Sequence, residues 1–284
     1  MQKGAAVMLE LEKEVNGVVI TFFSTASAVG KTLISCNMAS ELARQGKSVC
    51  LVDYDLQFGD VCNYLQLLPK NTIADVQRGF TLQGDACHVE EYLTPYEYRG
   101  VLFYVMAAPR KLEEAYNIKT EYAIKVIRQL QLKFDYVIVD TTSMFSVLNL
   151  DLLDMSTIVT FLGIVDFIPT IKNMKIGRNT LNELNYDRQK LRLVLNRSNA
   201  KTRISIDDVE KLLGEEFYHI LPNDFRAASQ SIKDGIPLVL KQEHTELGEA
   251  LRDLVLRYTN QGQMDFEEDD AEEAGESWLS RIFS

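Results

Sequence analysis

Short apolar runs alternate with amphipathic segments along most of the chain. The apolar runs predict strands at 18–24, 48–53, 101–107, 134–140, 156–162, 191–196 and 217–221. Apolar residues at helical spacing predict helices at 31–45, 119–131, 146–153, 168–185, 205–213, 224–233 and 246–258. Strands that are apolar throughout are buried on both faces, which is typical of parallel sheets covered by helices. The pattern therefore predicts an α/β fold with a doubly wound, mainly parallel sheet flanked by helices.

Segment 56–100 is less regular, and its leucines indicate short helices before an aromatic-rich stretch without an assigned element. There is no internal repeat and no Pro/Gly/Ser-rich linker between residues 17 and 259. We therefore expect one domain at 17–259, after an N-terminal extension at 1–16 with no assigned function. An acidic linker at 260–276 and a short amphipathic segment at 277–284 follow it.

Composition is that of a globular protein, with 46% apolar and 25% charged residues. The sequence has no transmembrane run and no secretory signal, and its four cysteines lack metal-site spacing. We expect reduced thiols and a cytoplasmic protein. The net charge is −11, but segment 264–276 holds eight acids; the chain without its tail has 33 acids and 29 bases. Specific DNA binding is not expected, although Arg252 with Arg257 is a candidate for a local basic patch.

The first predicted strand, 18–24, leads into Gly30-Lys31-Thr32 at the start of a helix, and a second strand ending in aspartate follows. Backbone N–H groups at such a helix start bind phosphate oxygens. Lys31 would reach the β- and γ-phosphates, and the Thr32 hydroxyl would bind Mg²⁺. Thr25 occupies the place of the first glycine in the usual phosphate-loop pattern, so a purely structural turn remains the alternative.

Polar residues lie at the ends of several predicted strands, where ligands bind in this architecture. These residues are Asp53, Asp55, Asp140, Asn196 and Asp224. Asp140 would bind the metal or polarise its water, or else cap a helix. Asp53 and Asp55 alternate, so both would face the phosphates, one in the metal shell and one orienting water. Alternatively, Asp55 opens a turn.

The base would lie farther along the sheet. Asn196 is placed to bond the purine edge, and the loop 221–224 is placed to border the base. None of the three histidines has metal-ligand spacing, so they are interpreted as structural.

The chain resembles the deviant-Walker ParA/MinD superfamily of P-loop ATPases, most closely its CpaE/TadZ branch, which is associated with tight-adherence pilus assembly. The stretch LVDYDLQFGDVCNYLQLLP resembles the branch signature, and FDYVIVD resembles a Walker B strand. VLNRSNAKTRISIDDVEKLLG and ILPNDFRAASQSIKDGIPLVL resemble the adenine-side and C-terminal parts. The resemblance covers about residues 17–258.

The resemblance implies ATP and Mg²⁺ as cofactors and a role for each matching residue. The catalytic residues would be Lys31, Asp55 as the switch I aspartate, and Asp140 as the Walker B aspartate. The metal residues would be Thr32, Asp53 and Asp140. The nucleotide-binding residues would be Ala26, Ser27, Ala28, Val29, Gly30, Lys31, Thr32, Leu33, Asn196, Arg197, Pro222, Asn223 and Asp224.

Two departures from the family pattern matter. The superfamily loop reads K-G-G-x-G-K-T, but Ala26 replaces its signature lysine, and Ser27 and Ala28 replace two glycines. The lysine normally reaches across an ATP-sandwiched dimer, so its loss implies slow or absent hydrolysis with binding retained. The branch often carries a receiver-like domain first, which the sixteen residues of the N-terminal extension are not expected to form.

Near the C-terminus, Trp278, Leu279, Ile282 and Phe283 share one helical face. MinD-like relatives end in an amphipathic membrane anchor, but here the only cation is Arg281 and the preceding residues are acidic. Docking into a partner groove, membrane anchoring and packing on the body are the three interpretations. The protein would then be cytoplasmic, or peripheral at the inner membrane face or cell pole.

We interpret the sequence as an ATP-binding positioning or scaffold protein that forms a homodimer with nucleotide and acts with pilus assembly proteins. One alternative is a partitioning or flagellar-number ATPase of the same superfamily. Another is a nucleotide-free interaction module. A capsule-type tyrosine kinase is disfavoured, because such kinases end in a tyrosine cluster and no tyrosine follows Tyr258.

Overall fold

The computed structural model describes residues 17–187, 189–199, 204–241 and 244–259. The predicted extension at 1–16, the acidic linker at 260–276 and the apolar segment at 277–284 lie outside the described residues. The structure therefore bears on the predicted domain and not on the segments around it.

Within the described residues the chain forms an eight-stranded sheet in the order β3-β4-β2-β5-β1-β6-β7-β8. The strands are β1 (Val18–Phe23), β2 (Val49–Asp53), β3 (Thr94–Tyr98), β4 (Val101–Met106), β5 (Tyr136–Asp140), β6 (Ile158–Gly163), β7 (Leu191–Leu195) and β8 (His219–Ile220). Neighbouring strands are parallel except for the antiparallel pair β3 and β4. The predicted α/β fold with a mainly parallel sheet is confirmed.

Helices cover both faces of this sheet. They are α1 (Lys31–Arg44), α2 (Val61–Tyr64), α3 (Ile73–Gln83), α4 (Leu112–Tyr116), α5 (Thr120–Gln131), α6 (Val147–Met155), α7 (Ile168–Glu183), α8 (Ile206–Leu213), α9 (Phe225–Asp234) and α10 (Glu246–Thr259). Alternate residues of β1 enter different cores: Ile20 and Phe22 pack with α1 and α10, whereas Val19 packs with α3 and α5. Burial on both faces explains why the strands are apolar throughout.

The central strands end at the same edge of the sheet. Asp140 of β5 is in register with Asp53 of β2 on one side and with Phe22 of β1 on the other. The segment that joins β1 to α1 begins at this edge. The fold therefore brings the two strand-end aspartates and the start of α1 together.

The sheet differs from the prediction at its two ends. Residues 217–221 were expected to form a strand, but only His219–Ile220 pair with β7. The aromatic-rich stretch forms β3, which turns into β4 through Arg99 and Gly100, both with positive φ (50° and 81°). Two such residues fit a tight hairpin turn. Arginine is an unusual first residue for it, so the turn was missed.

No helix in the described ranges is long and apolar enough to cross a lipid bilayer. The four cysteines are free thiols, and three of them are buried.

Candidate functional site

The loop between β1 and α1 is braced from the end of β7. Asn196 donates through Nδ2 to the carbonyl of Val29 (2.8 Å), and Arg197 donates through Nη2 to the carbonyl of Ala28 (2.9 Å). Gly30 has φ 101°, and a Cβ there would lie 2.6 Å from Asn196 Nδ2. Only glycine fits position 30, because both the backbone conformation and the space exclude a side chain.

The N-terminus of α1 points its unpaired backbone N–H groups at the loop. Gly30 is the N-cap, no side chain caps the helix, and its first turn carries no acidic residue. Four N–H groups at a helix start have no partner inside the helix, and the helix dipole adds positive potential there. This arrangement suits an anion such as a phosphate.

Lys31, the first residue of α1, reaches back to two hydroxyl groups. Its Nζ donates to Ser143 Oγ (2.8 Å) and to Ser24 Oγ (3.2 Å). Burial lowers the pKa of Lys31, while the nearby carboxylates of Asp140 and Asp55 act in the opposite direction. The ammonium is therefore partly desolvated and is ready to bind an anion strongly.

Thr32 and Asp140 form the second pair at this helix start. Thr32 Oγ1 donates to Asp140 Oδ2 at 2.6 Å. Asp140 is 1% exposed, and its Oδ1 has no hydrogen-bond partner among the described residues. Burial raises the pKa of Asp140 to about 6, although the Thr32 hydrogen bond and Lys31 counteract this shift. A buried carboxylate oxygen without a partner and a hydroxyl oxygen are ligands that suit Mg²⁺.

Asp53 has a different environment. Its carboxylate accepts the backbone N–H groups of Asp55 (3.1 Å) and Val61 (3.2 Å), and it is buried. Burial and the neighbouring Asp140 raise its pKa. A Cβ at Gly59 would lie 2.5 Å from Asp53 Oδ2, so glycine lets the turn pass over the carboxylate. Asp53 fixes the turn after β2, and its predicted metal role stays a prediction.

Asp53 and Asp55 do not share a strand face as predicted, because β2 ends at Asp53. Asp55 lies in the turn that follows, where its Oδ1 accepts the N–H of Phe58 (3.2 Å). It nevertheless lines the cleft described next. The turn and the site interpretations of Asp55 are therefore compatible.

Lys31, Thr32 and Asp55 line a cleft of 760 Å³, whereas the buried Asp53 and Asp140 are not among its described lining residues. Its lining comes from the loop and start of α1, the turn after β2, α2, the segment after β5, the start of α6, and single residues of α4 and α9. The described lining residues are Ser27, Ala28, Val29, Gly30, Lys31, Thr32, Leu33, Tyr54, Asp55, Leu56, Gln57, Phe58, Asp60, Asn63, Tyr64, Ala115, Thr141, Thr142, Ser143, Met144, Ser146, Leu148, Asn149 and Ile232. Lys31 is the one basic residue among them, against Asp55 and Asp60.

Six of the predicted nucleotide-binding residues do not line this cleft: Ala26, Asn196, Arg197, Pro222, Asn223 and Asp224. Asn196 and Arg197 instead donate hydrogen bonds to carbonyl groups of the loop between β1 and α1. Asp224 caps α9 by accepting the N–H of Ala227 (2.9 Å), and Pro222 is buried. The structure thus gives these residues structural contacts, and their roles near a base stay predictions.

Sequence reasoning missed the serines that hold Lys31. Ser24 follows β1 directly, and Ser143 comes three residues after the end of β5. Polar residues that follow strand ends are a sequence signal for a binding site. This signal identified the carboxylates and amides at the strand ends, whereas the serine hydroxyl groups in the same kind of position were overlooked.

We expect Ala28→Gly to stabilise the protein relative to Ala26→Gly by about 1–2 kcal/mol. Ala28 has φ 57°, a left-handed conformation that costs a residue with a Cβ about that much. Ala26 is not among the positive-φ residues of the described chain. Both variants add one glycine, so the added conformational entropy of the unfolded chain is the same in each and cancels in the comparison. Urea unfolding of the two variants measures the difference, and equal stabilities would show that Ala28 is unstrained.

We expect Asp140→Asn to stabilise the nucleotide-free, metal-free protein increasingly as pH rises from about 4 to above 6. The folded-state pKa of about 6 lies above the usual aspartate pKa of 3.8, so the wild type loses stability as the buried carboxyl ionises. The gain should approach about 1–3 kcal/mol at neutral pH. Denaturant unfolding at several pH values, with a chelator present, measures it.

Asp135→Asn is the control of opposite sign. Hydrogen bonds from the backbone and side chain of Ser48 lower the pKa of Asp135, so its stabilisation exists at neutral pH and is lost as pH falls. A pH-independent effect of Asp140→Asn would contradict the burial argument.

The comparisons with known proteins agree with this geometry. The family model of the CobQ/CobB/MinD/ParA nucleotide binding domain matches residues 20–238. A septum site-determining protein MinD from Synechocystis is 26% identical over 249 residues, which are 86% of this chain and 90% of that protein. The antiactivator FleN of Pseudomonas aeruginosa is 44% identical over 61 residues, 22% of each chain.

Two solved structures show the same fold. A ParA family ATPase from Chlorobium tepidum superposes with a TM-score of 0.76 at 21% identity, covering 84% of this chain and 98% of that one. MinD from Pyrococcus horikoshii, crystallised with Mg-ADP, gives a TM-score of 0.72 at 18% identity and covers 86% and 96%. Because the family model spans most of the chain, this protein belongs to the CobQ/CobB/MinD/ParA family of nucleotide-binding domains.

Proposed function

We propose that the protein binds ATP with Mg²⁺ in the cleft and forms a homodimer across the face that carries it. One observation carries the proposal. Asp140 presents a buried oxygen without a partner beside Thr32 Oγ1, at the start of a helix whose first residue is the cleft's only described basic lining residue. A cation and an anion together would satisfy these groups, and Mg²⁺-ATP supplies both.

Each group has a role in this proposal. The backbone N–H groups at the start of α1 and the Lys31 ammonium bind the β- and γ-phosphates. Thr32 and Asp140 hold Mg²⁺, whose charge neutralises that of the phosphates. Asp55 lines the same cleft and carries a carboxylate suited to orienting an attacking water.

Hydrolysis is expected to be slow in this proposal. Charge that develops in the transition state of phosphoryl transfer is stabilised by cations, and removing one preorganised donor typically costs about 100-fold or more in rate. Ala26 supplies no cation, and Lys31 is the one basic side chain among the described residues that line the cleft. Bound ATP would therefore persist and hold one conformation of the protein for a long time.

The surroundings of the cleft support dimerisation through this face. Phe58, Met144 and Val147 are large apolar residues that are 71%, 64% and 70% exposed. Phe58 and Met144 line the cleft, and Val147 begins the helix that follows. Exposed apolar side chains around a polar site indicate a contact surface. A second copy would cover them and exclude water from the nucleotide.

The finer role that we propose is that of a positioning or scaffold protein for pilus assembly. It is supported by the resemblance of residues 51–69 to the CpaE/TadZ signature. The second candidate is a ParA- or MinD-type positioning ATPase, which the similarities to MinD and FleN favour. A nucleotide-free module is disfavoured, because Lys31, Thr32 and Asp140 form one connected site.

We expect wild-type protein to bind ATP in the presence of Mg²⁺ and to double its molar mass, and Lys31→Ala to bind at least about tenfold more weakly without dimerising. Titration calorimetry and light scattering measure both effects. Lys47→Ala is the matched control, because Lys47 is exposed between α1 and β2, at the opposite edge of the sheet. Failure of the wild type to bind ATP would reject the proposal.

The two candidate cellular roles can be distinguished by a mutation in the organism that encodes the protein. We expect a chromosomal Lys31→Ala replacement to reduce surface pili while septum position and flagellar number stay normal. Electron microscopy of the mutant and wild-type cells counts all three. Misplaced septa or altered flagellar number with normal pili would favour the second candidate, and the Lys47→Ala strain controls for expression.

A further inference from the structure

Two serine hydroxyl groups contact the Lys31 ammonium, and both also contact one backbone carbonyl. Ser24 Oγ and Ser143 Oγ lie 2.9 Å apart, and each is 2.8 Å from the carbonyl oxygen of Ala26. Lys31 Nζ contacts both hydroxyl oxygens. The four groups form a closed hydrogen-bond network at the base of the loop.

One assignment of the hydroxyl hydrogens satisfies both Lys31 and the Ala26 carbonyl, and it leaves the 2.9 Å contact between the two serine oxygens without a hydrogen. Each hydroxyl has a single hydrogen, and the Ala26 carbonyl can only accept. If both serines donate to Ala26, both oxygens are free to accept from Lys31, whose ammonium has three donors. Two Lys31 hydrogens are then used and one remains for a ligand. The network therefore holds the ammonium without consuming its whole binding capacity.

Ser143 is held firmly by the segment after β5. Thr141 Oγ1 donates to the carbonyl of Phe22 (2.7 Å), which ties this segment to β1. Asn149 Nδ2 lies 2.8 Å from Thr142 Oγ1 and 2.7 Å from the Met144 carbonyl, on either side of Ser143. The Ser143 hydroxyl is therefore a fixed partner for Lys31.

The serines compete with carboxylates for Lys31. Asp140 and Asp55 attract its ammonium electrostatically, yet no ion pair joins Lys31 to a carboxylate within 4.0 Å in the described part of the chain. An ammonium bound to Asp140 would occupy the carboxylate that Mg²⁺ needs and would leave the phosphate position. A neutral hydroxyl holds the ammonium but gives it up more easily to an anion than a carboxylate does.

We propose that Ser143 is a positioning residue that keeps the Lys31 ammonium at the phosphate end of the cleft and away from Asp140. This inference rests on the proposed binding of ATP. Because Ala26 contributes no cation, the position of Lys31 decides how well the cleft accepts the phosphates. Ser24 assists, with a longer contact to Nζ (3.2 Å against 2.8 Å).

The test compares Ser143→Ala with Ser143→Thr, which keeps the hydroxyl. Titration with Mg²⁺ and either ATP or ADP measures the dissociation constants. We expect Ser143→Ala to weaken ATP about tenfold and ADP less, because ADP lacks the γ-phosphate that Lys31 also reaches. Ser143→Thr should bind ATP within threefold of the wild type.

Three results would overturn the inference: a loss of ATP affinity below threefold in Ser143→Ala, an equal loss for ATP and ADP, or an equal loss in both Ser143 variants. Ser205→Ala controls for general destabilisation, because Ser205 caps α8 away from the cleft by accepting the N–H of Asp208 (3.1 Å). Absence of ATP binding in the wild type rejects the proposed function as well. Wild-type binding with an unaffected Ser143→Ala rejects this inference alone.

Discussion

Two buried carboxylates lie side by side at the ends of β2 and β5. Burying them costs free energy, and the groups around them determine how far that cost is offset. Asp53 and Asp140 are in register and each is 1% exposed. Burial raises the pKa of both, since a charged carboxylate is poorly stabilised away from water. For Asp53, this cost is offset in part by two backbone N–H groups that donate to its carboxylate after the end of β2. Asp140 is compensated only partly, by Thr32 and Lys31, and its Oδ1 has no described partner. The folded chain therefore carries an electrostatic cost that a bound cation would relieve.

In the loop above these carboxylates, Ser27 and Ala28 stand where the family pattern has glycines, and one of the two takes a backbone conformation that glycine adopts more easily. Ala28 holds a left-handed conformation at φ 57°. The strain is balanced by contacts from the end of β7, where Arg197 and Asn196 bind consecutive carbonyl groups of the loop. Residues that the family resemblance placed near adenine thus have a role in holding the phosphate loop, and this role does not depend on a base.

The sequence predicted the sheet and the proximity of Lys31, Thr32 and Asp140, because the strands and their ends are marked by local patterns. Apolar runs mark buried strands, and the chain positions of Lys31, Thr32 and Asp140 follow from strand ends. The antiparallel β3 was missed because its turn uses arginine in a conformation usually taken by glycine or asparagine. The contacts of Ser143 were not predictable, since 112 residues separate it from Lys31 and serine has no distinctive pattern. Long-range contacts of common side chains require the folded chain.

The charge of the cleft determines what nucleotide binding can accomplish in this protein. Among the described lining residues, two aspartates face one lysine, and the position of the signature lysine holds Ala26. In the proposed function, such a site would depend on Mg²⁺ and on the N-terminus of α1 to offset the phosphate charge, because the side chains supply little of it. Those two elements would act on the bound nucleotide as well as on the transition state, whereas a second lysine would favour the transition state. ATP binding would thereby be retained while turnover would be weakened. Such an arrangement would suit a protein in which ATP stabilises an assembly.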